Sequence, residues 1–243
     1  MIDDGPAYKL VLQRAVKRFD LELREWPWPP DRARGDWETY WRVRFEDTLF
    51  RVGLGVRKLI EAAKLSVEAQ ERPVAVTFVP AKGGRRPNAI DQHHIDRFYD
   101  LEAARPDRIP LLILCHAIVH SYVLLPRFDG SAVTRLQLKD FYLASDRGRV
   151  KGVYLVGWKT FVDEVVTPVT SDGVVGMAIL RLPNGEDLRI ATSSSIGSPE
   201  SRDRLMERHG ALSKGNAEGM RKFMSDWRRE YGALSDPLER GAP

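Results

Sequence analysis

At 243 residues, with 43% hydrophobic and 30% charged side chains, the chain has ample apolar mass for an ordinary core, which excludes a disordered chain. A single cysteine, Cys115, excludes an internal disulfide framework and cysteine-rich zinc sites, so any metal would need histidine and carboxylate ligands. The net charge of +4 is mildly basic, which admits an anionic partner such as RNA without requiring one.

The N-terminus, Met1-Ile2-Asp3-Asp4, is acidic and lacks the apolar stretch of a secretory signal, so the expected setting is the cytoplasm. A helix is predicted in the first part of Tyr8 to Glu25, stopped by Trp26-Pro27-Trp28-Pro29-Pro30, whose prolines remove donors and restrict their neighbours. The tryptophans clustered between positions 26 and 41 are read as core and turn clamps rather than stacking platforms. From Trp37, apolar residues recur at Trp41, Phe45, Leu49, Val52, Val56, Leu59, Ala63 and Val67. Steps of three and four predict one long amphipathic helix, with a kink or a close helix crossing at Gly53 and Gly55.

Val74 to Val79 is β-branched and short, hence a strand. The loop Pro80-Ala-Lys-Gly-Gly-Arg-Arg-Pro87 follows. Its glycines would let backbone amides approach an anion beside Lys82, Arg85 and Arg86, which makes it the candidate phosphate-binding loop; a solvated connector is the competing reading. Asp91 to Glu102 is read as a helix, with His93 outward and His94 half-buried. The apolar run from Ile109 to Leu125 is too short and too polar for a bilayer span and is read as a buried helix stopping near Pro126. Strands are expected at Leu136–Ala144 and Gly152–Trp158 around a turn at Asp146–Arg149, with a short helix at Phe161–Val166. A second hairpin is expected from Val174–Leu182 and Asp187–Thr192 around Asn184-Gly185. Ser198-Pro199 opens a polar, basic, helical tail with Phe223, Met224, Trp227 and Tyr231 as its docking face.

Four of the five histidines fall between His93 and His120, and two read His116-Ala-Ile-Val-His120. That spacing puts both imidazoles on one helix face, one turn apart. Three chemistries fit: a catalytic pair, a two-histidine metal site, or two polar residues satisfied inside the fold. The metal reading lacks the glutamate of His-Glu-x-x-His, since Ala117 and Ile118 stand there, and needs a further ligand from His94, Asp91, Asp96 or Asp140. No cofactor is expected. Asp140, Asp146, Asp163 and Glu164 lie near strand ends, where carboxylates serve either acid–base chemistry or turns.

The string Leu114-Cys115-His116-Ala117-Ile118-Val119-His120-Ser121 resembles the local motif of HEPN-domain proteins, written Arg-Asn-x-x-x-His. His120 takes the place of the family histidine, while Cys115 and His116 stand where the family has arginine and asparagine. The resemblance covers these eight residues and, more loosely, Trp37 to Tyr122. It implies a helical domain, pairing of subunits and contact with RNA, as a binding module or as a ribonuclease using His120 with His116.

The expected fold class is α+β. Residues 1–127 are expected to be mainly helical and HEPN-like, with one strand near 74–79. A small antiparallel β region should occupy 128–195 and a helical tail 196–243, with 1–195 as one continuous domain the alternative. The expected partners are RNA or another protein, with a homodimer as a further option and no membrane.

Overall fold

A computed structural model of the chain describes residues 4–25, 34–83, 86–88, 91–129, 137–181 and 187–193. Helix α1 (Gly5–Glu25) starts where Asp4 accepts the Ala7 amide at 3.0 Å, and it buries Leu12, Val16, Phe19 and Leu23 at helical spacing. Helix α2 (Arg34–Glu61) carries the predicted periodicity, with Trp41, Phe45, Leu49, Val52, Val56 and Leu59 all buried. It ends in a Schellman turn: Lys64 N–H donates to Leu59 and Ala63 N–H to Ile60, with Ala63 at φ 52° in the left-handed region. Val67 therefore belongs to a separate short helix, α3 (Val67–Gln70), capped by Ser66, whose hydroxyl accepts the Ala69 amide.

Gly53 and Gly55 mark close crossings. A Cβ on Gly53 would lie 2.8 Å from Ile118 Cγ2, and one on Gly55 would lie 2.6 Å from a Leu12 methyl. The missing side chains let α2 press against α1 on one side and against α5 (Leu111–Val119) on the other.

These helices rest on an antiparallel sheet of five strands: β1 (Pro73–Pro80), β2 (Arg105–Pro110), β3 (Ser121–Asp129), β4 (Gln137–Ser145) and β5 (Gly152–Gly157). Their order is β2-β1-β5-β4-β3. One face packs Val74, Val76, Ile109, Leu124, Leu143 and Val156 against the helices. The other packs Val79, Val123, Tyr142, Ala144 and Val153 under the short helix α4 (Ile95–Phe98) and Tyr99. A helical stretch follows β5 as α6 (Trp158–Phe161), a π-helical turn at Val162–Val166 and α7 (Thr167–Ser171). Pro168 has no N–H for the Glu164 carbonyl, so the preceding carbonyls are left to a wider turn. Within that turn Glu164 accepts the Ala75 amide of β1 at 2.7 Å. Strands β6 (Gly176–Arg181) and β7 (Asp187–Thr192) pair antiparallel as the predicted second hairpin.

The α+β class stands, and residues 1–193 form one compact unit. Three local expectations need correction. Residues 1–127 contribute three strands rather than one, and position 127 falls inside β3. The run Ile109–Leu125 is a nine-residue helix followed by a strand, because Leu124 and Leu125 pair with Leu143 and Tyr142 of β4. A continuous apolar run has no periodicity that separates helix from strand, so a distant partner decides. Pro126 and Pro106 are tolerated because β3 and β2 are the sheet's edges. Asp91–Glu102 is helical only at 95–98: reciprocal bonds between Asn88 and Asp91 form a turn instead, and Tyr99 is extended and bridges to Ala81. The Pro183–Glu186 turn and the expected 196–243 tail lie outside the described residues.

One buried ion pair joins three segments. Lys9 Nζ donates to Asp172 at 3.1 Å and to the Asp172 carbonyl at 2.6 Å, while Ser66 donates its amide at 2.9 Å and its hydroxyl to the same carboxylate. The Lys9 and Asp172 side chains are only 7% and 6% exposed. Removing one partner strands the other charge away from water, so Asp172→Ala should lose about 3–5 kcal/mol of stability in urea unfolding. A loss below about 1 kcal/mol would show the pair to be a solvated one.

Close backbone approach gives a second expectation. A Cβ on Gly152 would sit 2.6 Å from the Val79 carbonyl oxygen, which cannot rotate away. Gly152→Ala should therefore cost about 1–3 kcal/mol. Gly55→Ala should cost less, because the Leu12 methyls can move and alanine favours the helix by about 1 kcal/mol.

Candidate anion-binding cleft beside the histidine pair

Helix α5 carries Ile113, His116 and Ala117 at i, i+3 and i+4, so the three share one face. That face forms one wall of a cavity of about 330 Å³. The floor comes from the sheet by register: Arg105 pairs with Phe78 across β2 and β1, and Phe78 pairs with Tyr154 across β1 and β5. The Arg105 guanidinium lies 5.2 Å from the Phe78 ring centroid, and the Phe78 and Tyr154 rings are 5.6 Å apart. The remaining wall is the turn between β4 and β5, with Ser145, Gly148, Lys151 and Gly152. Ser145 holds this turn by accepting the Gly148 amide at 3.1 Å.

The electrostatics of the opening favour an anion. Arg105, Lys151 and His116 line it against one lining carboxylate, Asp107. Burial, then the neighbouring His120, Arg57 and Arg147, push the His116 imidazole down from 6.5 to about 4. His116 is therefore neutral at pH 7, with one nitrogen a donor and the other an acceptor. Burial and the Asp107 carboxylate raise the Tyr154 phenol, which keeps it protonated.

The histidine rings lie 4.5 Å apart. Their surroundings differ from the expected shared buried helix, because α5 stops at Val119 and His120 is its exposed C-cap. The cause is again β3, which begins at Ser121 and draws the chain out of the helix. Among the described residues no group of three His, Cys, Asp or Glu side chains is placed to hold a metal. Cys115 faces the core, and burial pushes its thiol up to about 12, so it behaves as a small apolar residue. His93 is exposed and His94 half-buried, and their ring centroids lie 3.9 Å apart with the planes tilted by 44°.

Among the described residues of the candidate phosphate loop, none lines this cleft. Lys82 spends its amine on the Asp96 carbonyl at 2.8 Å, Arg86 is exposed, and Arg85 lies outside the described residues. The strand-end carboxylates have structural partners: Asp140 forms a two-pronged pair with Arg127, Asp146 meets Arg149, and Asp163 meets Lys159. Sequence reasoning missed Arg105 and Lys151. Neither has a local signal, since each is brought to His116 only by strand register.

The depressed His116 pKa has a stability consequence. The unfolded imidazole binds a proton near 6.5, while the folded one resists it until about 4, so protonation drives unfolding inside that window. The stabilising contribution is complete above pH 6.5 and is lost as pH falls towards 4. Urea midpoints should thus drop more steeply across this range for the natural chain than for His116→Gln. Parallel pH profiles would show that His116 is already free to protonate.

No protein-family model, curated protein or solved structure matches this chain. Function must therefore be read from the chemistry of the cleft.

Proposed function

We propose that this chain is an RNA-proximal module of the cytoplasm that grips backbone phosphate in the cleft beside α5. The observation that carries the reading is the convergence of Arg105, Lys151 and a neutral His116 on one opening, with Arg57 and Arg147 close enough to depress that histidine. Cations grouped around a cavity attract a polyanion, and release of its counterions makes such binding salt-dependent. The half-buried rings of Phe78 and Tyr154 beside those cations add apolar and aromatic surface, the combination used by single-strand binders. The HEPN-like string around His120 points the same way, and no helix among the described residues is long and apolar enough to cross a membrane.

A second reading, a phosphodiesterase, is favoured by one specific feature. His116, neutral and able to accept a proton, lines the cleft one turn from the exposed His120, with the two ring centroids 4.5 Å apart, so two imidazoles lie close enough to share acid–base work. Phosphodiester cleavage needs that division of labour: one group takes the attacking hydroxyl's proton and the other protonates the leaving oxygen.

Anisotropy titration with fluorescent single-stranded RNA tests both. Binding should weaken steeply with salt, and Arg105→Ala or Lys151→Ala should each weaken it about tenfold and reduce the salt slope by about one. Lys159→Ala, exposed and away from the cleft, should leave it unchanged. Absent or salt-independent binding at low ionic strength overturns the RNA reading and leaves a protein partner. Cleavage of the same RNA that His120→Ala abolishes would establish the enzyme; intact RNA with and without divalent metal would reject it.

A further inference from the structure

One carboxylate stands among the cations that line the cleft beside α5, where it would repel a bare phosphate. Asp107 lies two residues after Arg105 on β2, so both side chains leave the sheet on the face that meets the helices. Neither arginine beside it is its partner: Arg105 lies 5.2 Å from the Phe78 ring centroid, and Arg108 reaches Glu164 at 4.0 Å. The Arg108 amide donates to Asp107 Oδ1 at 2.8 Å, which orients the carboxylate and leaves Oδ2 and a further Oδ1 lone pair open. On β1, Pro80 pairs with Gly152 at one end of the cleft, Phe78 pairs with Arg105 and Tyr154 in the middle, and Val76 pairs with Asp107 at the other end. Four residues of strand, about 13 Å, separate those ends. The cleft is thus polarised, with Lys151 and the turn that holds Ser145 and Gly148 at one end, aromatic rings between, and a carboxylate opposite.

We infer, on the basis of the RNA reading of this cleft, that it selects guanine, with Asp107 as the residue that reads the base. The phosphate lies at the Lys151 end, the base lies against the floor of Arg105, Phe78 and Tyr154, and the Asp107 carboxylate accepts from the base edge. Aromatic rings and guanidinium planes are the surfaces on which unstacked bases settle, and their Watson–Crick edges are then free to be read. Guanine alone among the four RNA bases sets a ring N–H beside an exocyclic amino group on that edge. Two adjacent donors match the two oxygens of one carboxylate. Uracil places its N–H between two carbonyl oxygens, which a carboxylate repels. Adenine and cytosine each offer an amino group beside a ring nitrogen that is itself an acceptor. The charge that opposes a bare phosphate therefore becomes the feature that favours one nucleotide over the others, since a buried or crowded carboxylate penalises every ligand that fails to donate to it.

Anisotropy titration of the full chain with a short oligouridine, and with the same oligomer carrying one central guanine, adenine or cytosine, tests it. The guanine oligomer should bind about tenfold tighter than the other three, the discrimination expected of one two-pronged base contact. Asp107→Asn should fold as the natural chain does, because the position is exposed and the asparagine oxygen still accepts the Arg108 amide. It should erase the guanine advantage and at the same time bind oligouridine more tightly than the natural chain, because a repelling charge has gone. A carboxylate that only tunes the local charge behaves differently: its removal strengthens all four oligomers alike and leaves their ratios unchanged. That result overturns the inference, as does salt-dependent binding of all four oligomers with equal affinity, which leaves the phosphate site standing without a base preference. Failure of every oligomer to bind overturns the RNA reading and the guanine reading together.

Discussion

Everything in this fold depends on how closely α2 is approached from its two sides. The helix buries Trp41, Phe45, Leu49, Val52, Val56 and Leu59 along one stripe. Gly55 admits Leu12 of α1 to its surface, and Gly53 admits Ile118 of α5. Leucine or valine at either position would push a neighbour outward by the width of a side chain. The cost would be the contacts of a well-packed core, where small gaps forfeit much of the dispersion gain.

That packing also places the chemistry. Ile118 is locked against α2, and Leu114 and Cys115 face the core, so the rotation of α5 leaves Ile113, His116 and Ala117 facing the sheet's far strands. The same lock brings Arg57 of α2 near His116. The cleft is therefore a by-product of a helix crossing on one side and of strand register on the other. The imidazole is half-buried and close to several cations, and Asp107 is the one carboxylate that lines the cleft among the described residues. A site of that composition is poised for an anion, because an incoming negative charge relieves both the repulsion and the cost of burial.

The legible parts of the sequence were those with a strong local period or turn. The buried stripe of α2 could be read as far as Leu59, and β1 and the strands of both later hairpins to within about two residues of their ends, because each carries its own pattern. Strands β2 and β3 could not. The first is proline-interrupted and the second continues an apolar helix, so only the partners Pro73–Phe78 and Gln137–Ser145 make them strands. The site divides the same way. His116 was visible as half of a spaced pair, but its exposed partner His120 looked buried, and Arg105 and Lys151 lie in segments that carry no motif. Long-range register assembled them, and a single sequence does not display register.

The central claim is that the cleft beside α5 receives phosphate, and the His116 imidazole reports on that directly. NMR titration of the histidine ring signals, with and without saturating single-stranded RNA, measures it. The account predicts that the His116 pKa is about 4 in the free protein and rises when RNA binds, because phosphate beside the ring favours its charged form. A free value near the ordinary 6.5, or one that RNA leaves unmoved, would contradict it.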